Sequence, residues 1–197
     1  MQDSVIYYLA LLTLITVPAT LIAWVLLHSL VSFWRRLGAT GSMLIVAAST
    51  ILVMLGMYLV RNPLLHVRFG FHWQLACVSC ILIAGSSYLN ILVYRRVPKT
   101  MAFGLSEISP DEPGNLVEDG LYSHMRHPRF VAMTLAIAAM ALLTNYLILY
   151  LLWGVYVVMI FVIAVLEERE LTARFGTRYI EYKKRVPRFV PRVHDRR

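Results

Sequence analysis

Charge is scarce in this sequence. Asp, Glu, Lys and Arg make up 15% of its 197 residues, where a soluble domain carries about 25%, and 59% are apolar against roughly 45–50%. With a mean hydropathy of +0.66, that balance excludes an ordinary soluble globular chain. Acids are the rarer sign, 11 against 19 basic residues, for a formal net charge of +8. The surplus does not point to nucleic acid, because Lys and Arg avoid the long apolar stretches and gather at their ends, as membrane-flanking charges do. Cysteine is almost absent. Cys77 and Cys80, in an apolar C-V-S-C run, supply neither a disulfide framework nor, without other Cys or His close by, a four-ligand metal site, and they read as packing residues. Internal repeats, low-complexity segments and a Gly-rich dinucleotide loop are all missing. So is a basic segment ahead of the first apolar stretch, which is too long for a cleaved signal peptide and reads as a retained first span.

What is present is a set of charge-free runs: Ser4 to Trp34, Leu37 to Val60, Phe69 to Tyr94 and Phe130 to Leu166. A helix crosses roughly 30 Å of hydrocarbon with about 20 residues, so the first three runs predict one span each. The fourth, 37 residues, would be about 55 Å long as one helix, and Leu143-Thr144-Asn145-Tyr146 in its middle supplies polar turn residues; it predicts a tight helical hairpin. The distribution of Lys and Arg tests this independently. With five spans and an outside N-terminus, 17 of the 19 basic residues are cytoplasmic and only Arg61 and Arg68 face outward, whereas four spans put the basic tail on the other side and weaken the asymmetry. The expected architecture is an all-α, multi-pass integral membrane protein with five transmembrane helices, the last two a tight hairpin, and a cytoplasmic C-terminus.

Three parts follow: residues 1–94 as three N-terminal spans, residues 95–119 as a cytoplasmic loop, and residues 120–197 as a catalytic membrane hairpin with a cytoplasmic tail helix. The loop is marked by Pro98, Gly104, Pro110, Pro113 and Gly114. The tail opens with Glu167-Glu168-Arg169-Glu170 and places Leu171, Phe175, Tyr179 and Tyr182 on one helical face. This predicts an amphipathic C-terminal helix, lying against the membrane or folded back on the bundle, interrupted at Gly176 and ended by Pro187 and Pro191. Ala132, Ala136 and Met140, with Ala139 beside them, allow close packing of the fourth span. His28, Asn90 and the Ser86-Ser87 pair read as buried hydrogen-bonding groups.

Two places can carry chemistry. In Tyr122-Ser123-His124-Met125-Arg126-His127-Pro128-Arg129, Pro128 suits the first helical position and puts His127 at the N-cap, where backbone N–H groups and the helix dipole favour an anion. Arg126 and Arg129 add positive charge. The second place is Glu167-Glu168 at the end of the last span, where an acid needs water or a cation and two acids oppose the helix dipole. A hairpin returns Phe130 and Leu166 to one membrane face, so the anion site and the cation site confront each other. Opposed sites of this kind suit a zwitterionic amino-acid head such as the methionine part of S-adenosylmethionine.

The same residues carry a family resemblance. Leu116-Val117-x-x-Gly120-x-Tyr122-x-x-x-Arg126-His127-Pro128, followed about 40 residues later by Glu167-Glu168-x-x-Leu171-x-x-x-Phe175-Gly176-x-x-Tyr179-x-x-Tyr182-x-x-x-Val186-Pro187, resembles the isoprenylcysteine carboxyl methyltransferases and the related phospholipid methyltransferases. The resemblance implies a small membrane enzyme that binds S-adenosylmethionine and takes a lipid-borne or hydrophobic acceptor from the bilayer. It also implies that Arg126 and His127 hold the methionine carboxylate, Glu167 or Glu168 its amino group, and that Tyr122, Tyr179 and Tyr182 line or close the pocket beside Pro128. Two positions depart from the pattern: Phe130 stands where the family usually has Tyr, and Ile163 where prenylcysteine enzymes tend to have Arg. The acceptor is thereby opened to carboxylate, amine or thiol. The other readings are a phospholipid N-methyltransferase, an NADPH-dependent lipid reductase, and a non-enzymatic membrane assembly protein gripping anionic lipid with its basic tail.

Overall fold

A computed structural model of the chain describes residues 2–96 and 115–191, and every regular element in them is helical. In order these are α1 (Gln2–Ser29), α2 (Val31–Leu37), α3 (Ala39–Leu59), α4 (Arg61–Leu64), α5 (Trp73–Tyr94), a 3-10 turn at Gly120–Ser123, α6 (Pro128–Thr144), α7 (Leu147–Phe175) and α8 (Thr177–Arg185). Most of the expected 95–119 loop, with its three prolines and two glycines, lies outside the described residues.

The architecture is the all-α membrane bundle that the charge-free runs predict. α1, α3, α5 and α7 are each long and apolar enough to cross a membrane. The fifth crossing is shorter: α6 has 17 residues, about 25 Å at 1.5 Å per residue, yet it links the same two ends of the bundle. The hairpin turns where expected. Asn145 ends α6 in the left-handed conformation (φ 57°), a backbone state that Asn tolerates better than most side chains. Its amide donates to the Gly70 carbonyl at 2.8 Å, and the Tyr150 hydroxyl donates to its side-chain oxygen at 2.8 Å. Backbone bonds from Phe69 N–H to the Asn145 carbonyl and from Leu147 N–H to the Val67 carbonyl close this end, beside an Arg68–Asp3 ion pair of 2.8 Å.

α5 and α6 lie antiparallel and close. Ser79 and Ser86, two turns apart on α5, donate to the Ala139 and Ala132 carbonyls, both at 2.8 Å, and both alanines are fully buried. Small side chains admit this approach, and each hydroxyl finds a partner that hydrocarbon cannot offer. α1 packs against α3, α6 and α7. Val17 and Leu21 of α1 meet Phe130 and Ile137 of α6 and Tyr156, Ile160 and Ile163 of α7 in the main apolar core. α3 leaves Leu44, Ile51, Leu52 and Leu59 exposed on its outer surface, as a lipid-facing helix does.

Two expectations are corrected. Cys77 and Cys80 lie on the exposed face of α5, not in the core, and Ser87 is exposed as well, because α5 uses its Ser79–Ser86 face to pack. α7 does not stop at the membrane boundary: it runs through Glu167 and Glu168 to Phe175, so the acids sit inside a helix and the dipole at its end does not act on them. The amphipathic piece proper is α8, separated by Gly176 (φ 56°, ψ −131°), which a side chain would strain. It folds back on the bundle, burying Tyr179 and Tyr182 with Val186 against Leu116, Leu171 and Phe175.

Candidate active site

The polar end of the bundle is assembled from four pieces: the segment before α6, the last turns of α7, α8, and the strap that follows it. Pro128 occupies the first position of α6 with His127 at the N-cap, as the sequence predicts. The strap then pins this entry by backbone pairing, since Arg126 N–H donates to the Pro187 carbonyl at 2.9 Å and His127 N–H to the Arg188 carbonyl at 3.0 Å. Phe130 stacks on the His127 ring with centroids 5.3 Å apart.

The hairpin brings Arg126 and His127 to the two glutamates. His127 Nε2 lies 3.2 Å from Glu168 Oε1, and its Nδ1 lies 3.4 Å from Glu167 Oε2. A neutral imidazole has one N–H, so a ring facing a carboxylate from each nitrogen is served best as imidazolium. Burial opposes that charge, but Glu167 and Glu168 outweigh it and hold the His127 pKa above that of a free imidazole. The two acids differ sharply. Glu168 is 3% exposed and takes the Arg188 guanidinium on both oxygens, at 2.9 and 2.8 Å, and Arg126 at 2.9 Å. Glu167 has its side chain 25% exposed and faces an open cleft.

That cleft encloses about 940 Å³ of space, its open mouth included. Arg126, His127 and Glu167 line it together with Tyr122, Tyr179 and Tyr182, and Trp24, Phe130 and Phe175 add aromatic walls. Arg129, on the same wall, lays its guanidinium over the Trp24 ring at 4.8 Å. Tyr182 donates its hydroxyl to the Tyr122 carbonyl at 2.6 Å, tying α8 to the 3-10 turn. Tyr179 is 1% exposed, and its hydroxyl has no hydrogen-bond partner among the described residues; the same holds for Arg126 Nε. Buried polar atoms are rarely left so, and these two border one cavity. Burial pushes all three tyrosine pKa values up, with Glu167 adding to the effect on Tyr122 and Glu168 to that on Tyr179, so the phenols stay neutral donors. At the rim, Arg178 and Arg185 grip Glu118 at 2.8 and 3.2 Å.

Of the residues singled out in the sequence, Tyr122, Arg126, His127, Glu167, Tyr179 and Tyr182 line this one cleft. Glu168 and Pro128 stand behind its wall, Glu168 bound by its cations and Pro128 starting the helix. Sequence reasoning missed Arg188, Trp24 and Phe189. A signal for Arg188 existed: two adjacent acids buried at a membrane boundary need more than the Arg126-His127 pair to balance them. For Trp24, a single aromatic in a long apolar span, there was none.

The phospholipid methyltransferase family model matches residues 73–178, from the first residue of α5 to the start of α8. Methanethiol S-methyltransferase 2 from Bradyrhizobium diazoefficiens is similar, at 29% identity over 136 residues that cover 64% of this chain and 51% of that protein. The chain thus spans about half the length of the curated relative it matches. No solved structure matches it.

Proposed function

The chain belongs to the phospholipid methyltransferase family, and from that premise we propose that it is an integral-membrane enzyme that uses S-adenosylmethionine to methylate a hydrophobic or lipid-borne acceptor. One observation carries the reading: a carboxylate, Glu167, and two buried, unsatisfied donors, Tyr179 Oη and Arg126 Nε, border the same aromatic-walled cleft. A zwitterionic head satisfies that donor and acceptor set, and the Tyr122 ring on the cleft wall suits the sulfonium beside it. In this reading Glu167 takes the ammonium group, and Arg126 with the Tyr179 hydroxyl takes the carboxylate. His127 was expected to share the carboxylate; facing two carboxylates of its own chain, it serves instead to orient Glu167. When bound, S-adenosylmethionine supplies an electrophilic methyl group on a good leaving group.

The chain's own contribution is positioning and exclusion of water. Among the described residues on the cleft the tyrosines are held neutral, Glu167 is paired with His127, and His127 lies between two carboxylates that favour its charged form, so none of them is left free to take a proton. That favours an acceptor that ionises by itself, a thiol or carboxylic acid, over a protonated amine. Between those two, Ile163 is buried among apolar side chains where prenylcysteine enzymes tend to carry Arg, and the similar bradyrhizobial protein is named for a thiol. We place a hydrophobic thiol first. The test is calorimetry of the purified protein with S-adenosylmethionine, then transfer of labelled methyl to an alkyl thiol, a prenylcysteine and phosphatidylethanolamine. Binding followed by labelling of the thiol is expected. Binding of NADPH in place of S-adenosylmethionine, or of neither, would refute the enzyme reading; labelling of the phospholipid alone would refute the acceptor. The basic residues at the cleft end support a cytoplasmic cleft and an outside N-terminus.

A further inference from the structure

The residue that makes the closest contacts to the acidic pair has no part in the cleft itself. Arg188 meets Glu168 through Nε and Nη2 at 2.9 and 2.8 Å, a two-pronged pairing that needs the planar guanidinium fork. Its carbonyl also accepts the His127 N–H at 3.0 Å, and its neighbour Phe189 packs on the His127 ring, 5.7 Å between centroids, and on Phe161 at 4.9 Å. One strap residue therefore holds the backbone of the histidine and the side chain of the glutamate behind it. Arg188 lies ten residues beyond the stretch that the family model matches.

The arrangement has a consequence for the two glutamates. His127 lies between the two carboxylates, 3.2 Å from Glu168 and 3.4 Å from Glu167, so the pull of each acid sets how closely the ring approaches the other. A Glu168 short of cations would draw the ring toward itself and away from Glu167. We propose that Arg188 is a positioning residue that divides the acidic pair: by saturating Glu168 it leaves His127 to hold Glu167 on the cleft wall, where that carboxylate receives the ammonium group of the cofactor. This rests on the cleft being the S-adenosylmethionine site.

Among the described residues the groups that bear on His127 are Glu167 and Glu168 from α7, Arg126 on its own segment, Arg188 from the strap, Lys183 of α8 at 3.9 Å from Glu168, and His28 of α1 and Arg129 of α6, which act on Glu167. Removing Arg188 strips a positive charge from this set. The His127 midpoint, followed by NMR of its imidazole in the unliganded protein, then rises by about one pH unit or more in Arg188→Met. S-adenosylmethionine affinity falls about tenfold in Arg188→Met and about threefold in Arg188→Lys, which keeps the charge but loses the fork. In a Glu168→Gln background the same Arg188 substitutions change affinity less than about twofold, because the group they act through is gone. An unchanged His127 midpoint, or equal losses in both backgrounds, would overturn the proposal and leave the strap a packing element. If Arg188→Met does not fold, Arg188→Lys in the two backgrounds decides by the same criterion. A wild-type protein that does not bind S-adenosylmethionine at all refutes the reading of the cleft, while the imidazole titration, which needs no cofactor, still decides whether Arg188 divides the pair.

Discussion

Glu167 and Glu168 are adjacent and chemically identical, yet their surroundings predict opposite phenotypes. Glu168→Gln removes the anion from a cluster in which Arg188, Arg126 and His127 all lie within 3.2 Å of its carboxylate. Removing one partner of a buried ion pair costs about 3–5 kcal/mol. The Arg188 side chain is 32% exposed and recovers some hydration, so the loss belongs at the lower end, about 3 kcal/mol. For a chain of this size each kcal/mol moves the melting midpoint by about 2–4 °C, which gives a fall of about 6–12 °C. Glu167→Gln behaves differently. That side chain is 25% exposed and is paired with His127 at 3.4 Å, so its replacement costs under about 1 kcal/mol and moves the midpoint by less than about 4 °C. In the proposed site it removes the partner of the cofactor's ammonium group, worth about 1.5–3 kcal/mol or roughly 10- to 100-fold in affinity. The assay is tryptophan-fluorescence melting in detergent at one fixed scan rate, because such unfolding is read as an apparent midpoint, combined with calorimetric titration of S-adenosylmethionine. Two variants that lose stability and affinity in the same proportion would refute the division of roles.

The remaining expectations test other parts of the assembly. Because the fold raises the His127 pKa, the stabilisation from its protonated form is complete below the free-imidazole value and is lost as pH climbs through the raised value. The melting midpoint should therefore fall as the pH rises above the free-imidazole value, and His127→Gln should flatten that fall. Tyr179→Phe removes a buried hydroxyl with no partner among the described residues, so unliganded stability should hold or rise by up to about 1 kcal/mol while S-adenosylmethionine affinity drops about fivefold. Ser79→Ala with Ser86→Ala deletes two interhelical hydrogen bonds worth about 0.6 kcal/mol each, and the double variant should melt about 2–5 °C lower with unchanged cofactor affinity.

Apolar run length and basic-residue asymmetry made the bundle legible, because hydrocarbon imposes both. The hairpin was legible for the same reason: a 37-residue run cannot be one span, and Asn145 is the residue in its middle that best accepts a left-handed turn. The cleft was half legible. Pro128 fixes the start of α6, and with it His127 at the N-cap, by local rules alone. Trp24 reaches the cleft only because α1 packs across α6 and α7, a tertiary contact with no trace in its own neighbourhood of sequence. The different fates of Glu167 and Glu168 were illegible as well. Successive residues on a helix point about 100° apart, and which of the two meets the cations depends on how far α7 is rotated in the bundle.

That rotation is what the polar groups fix. Between helices in hydrocarbon there is no hydrophobic force to set register, and an apolar interface such as that of Ile137, Ile160 and Ile163 tolerates a slide or a turn. α6 and α7 are instead fastened at both ends. Asn145, bonded to Gly70 and Tyr150, fixes the hairpin at one end, and the cluster of His127, Glu168 and Arg188 fixes it at the other, with Ser79 and Ser86 holding α5 alongside. A slide of one residue along either helix is 1.5 Å, enough to break every bond in the cluster. Buried ion pairs add little net stability against an apolar replacement, so geometry is the better account of this one. Methyl transfer along a line depends on placement to a fraction of an ångström. The short α6, held between two polar anchors, keeps its N-terminal His127 at a set height beside Glu167, and in the proposed reaction a lipid-soluble acceptor entering along the helices would meet the cofactor at that same height.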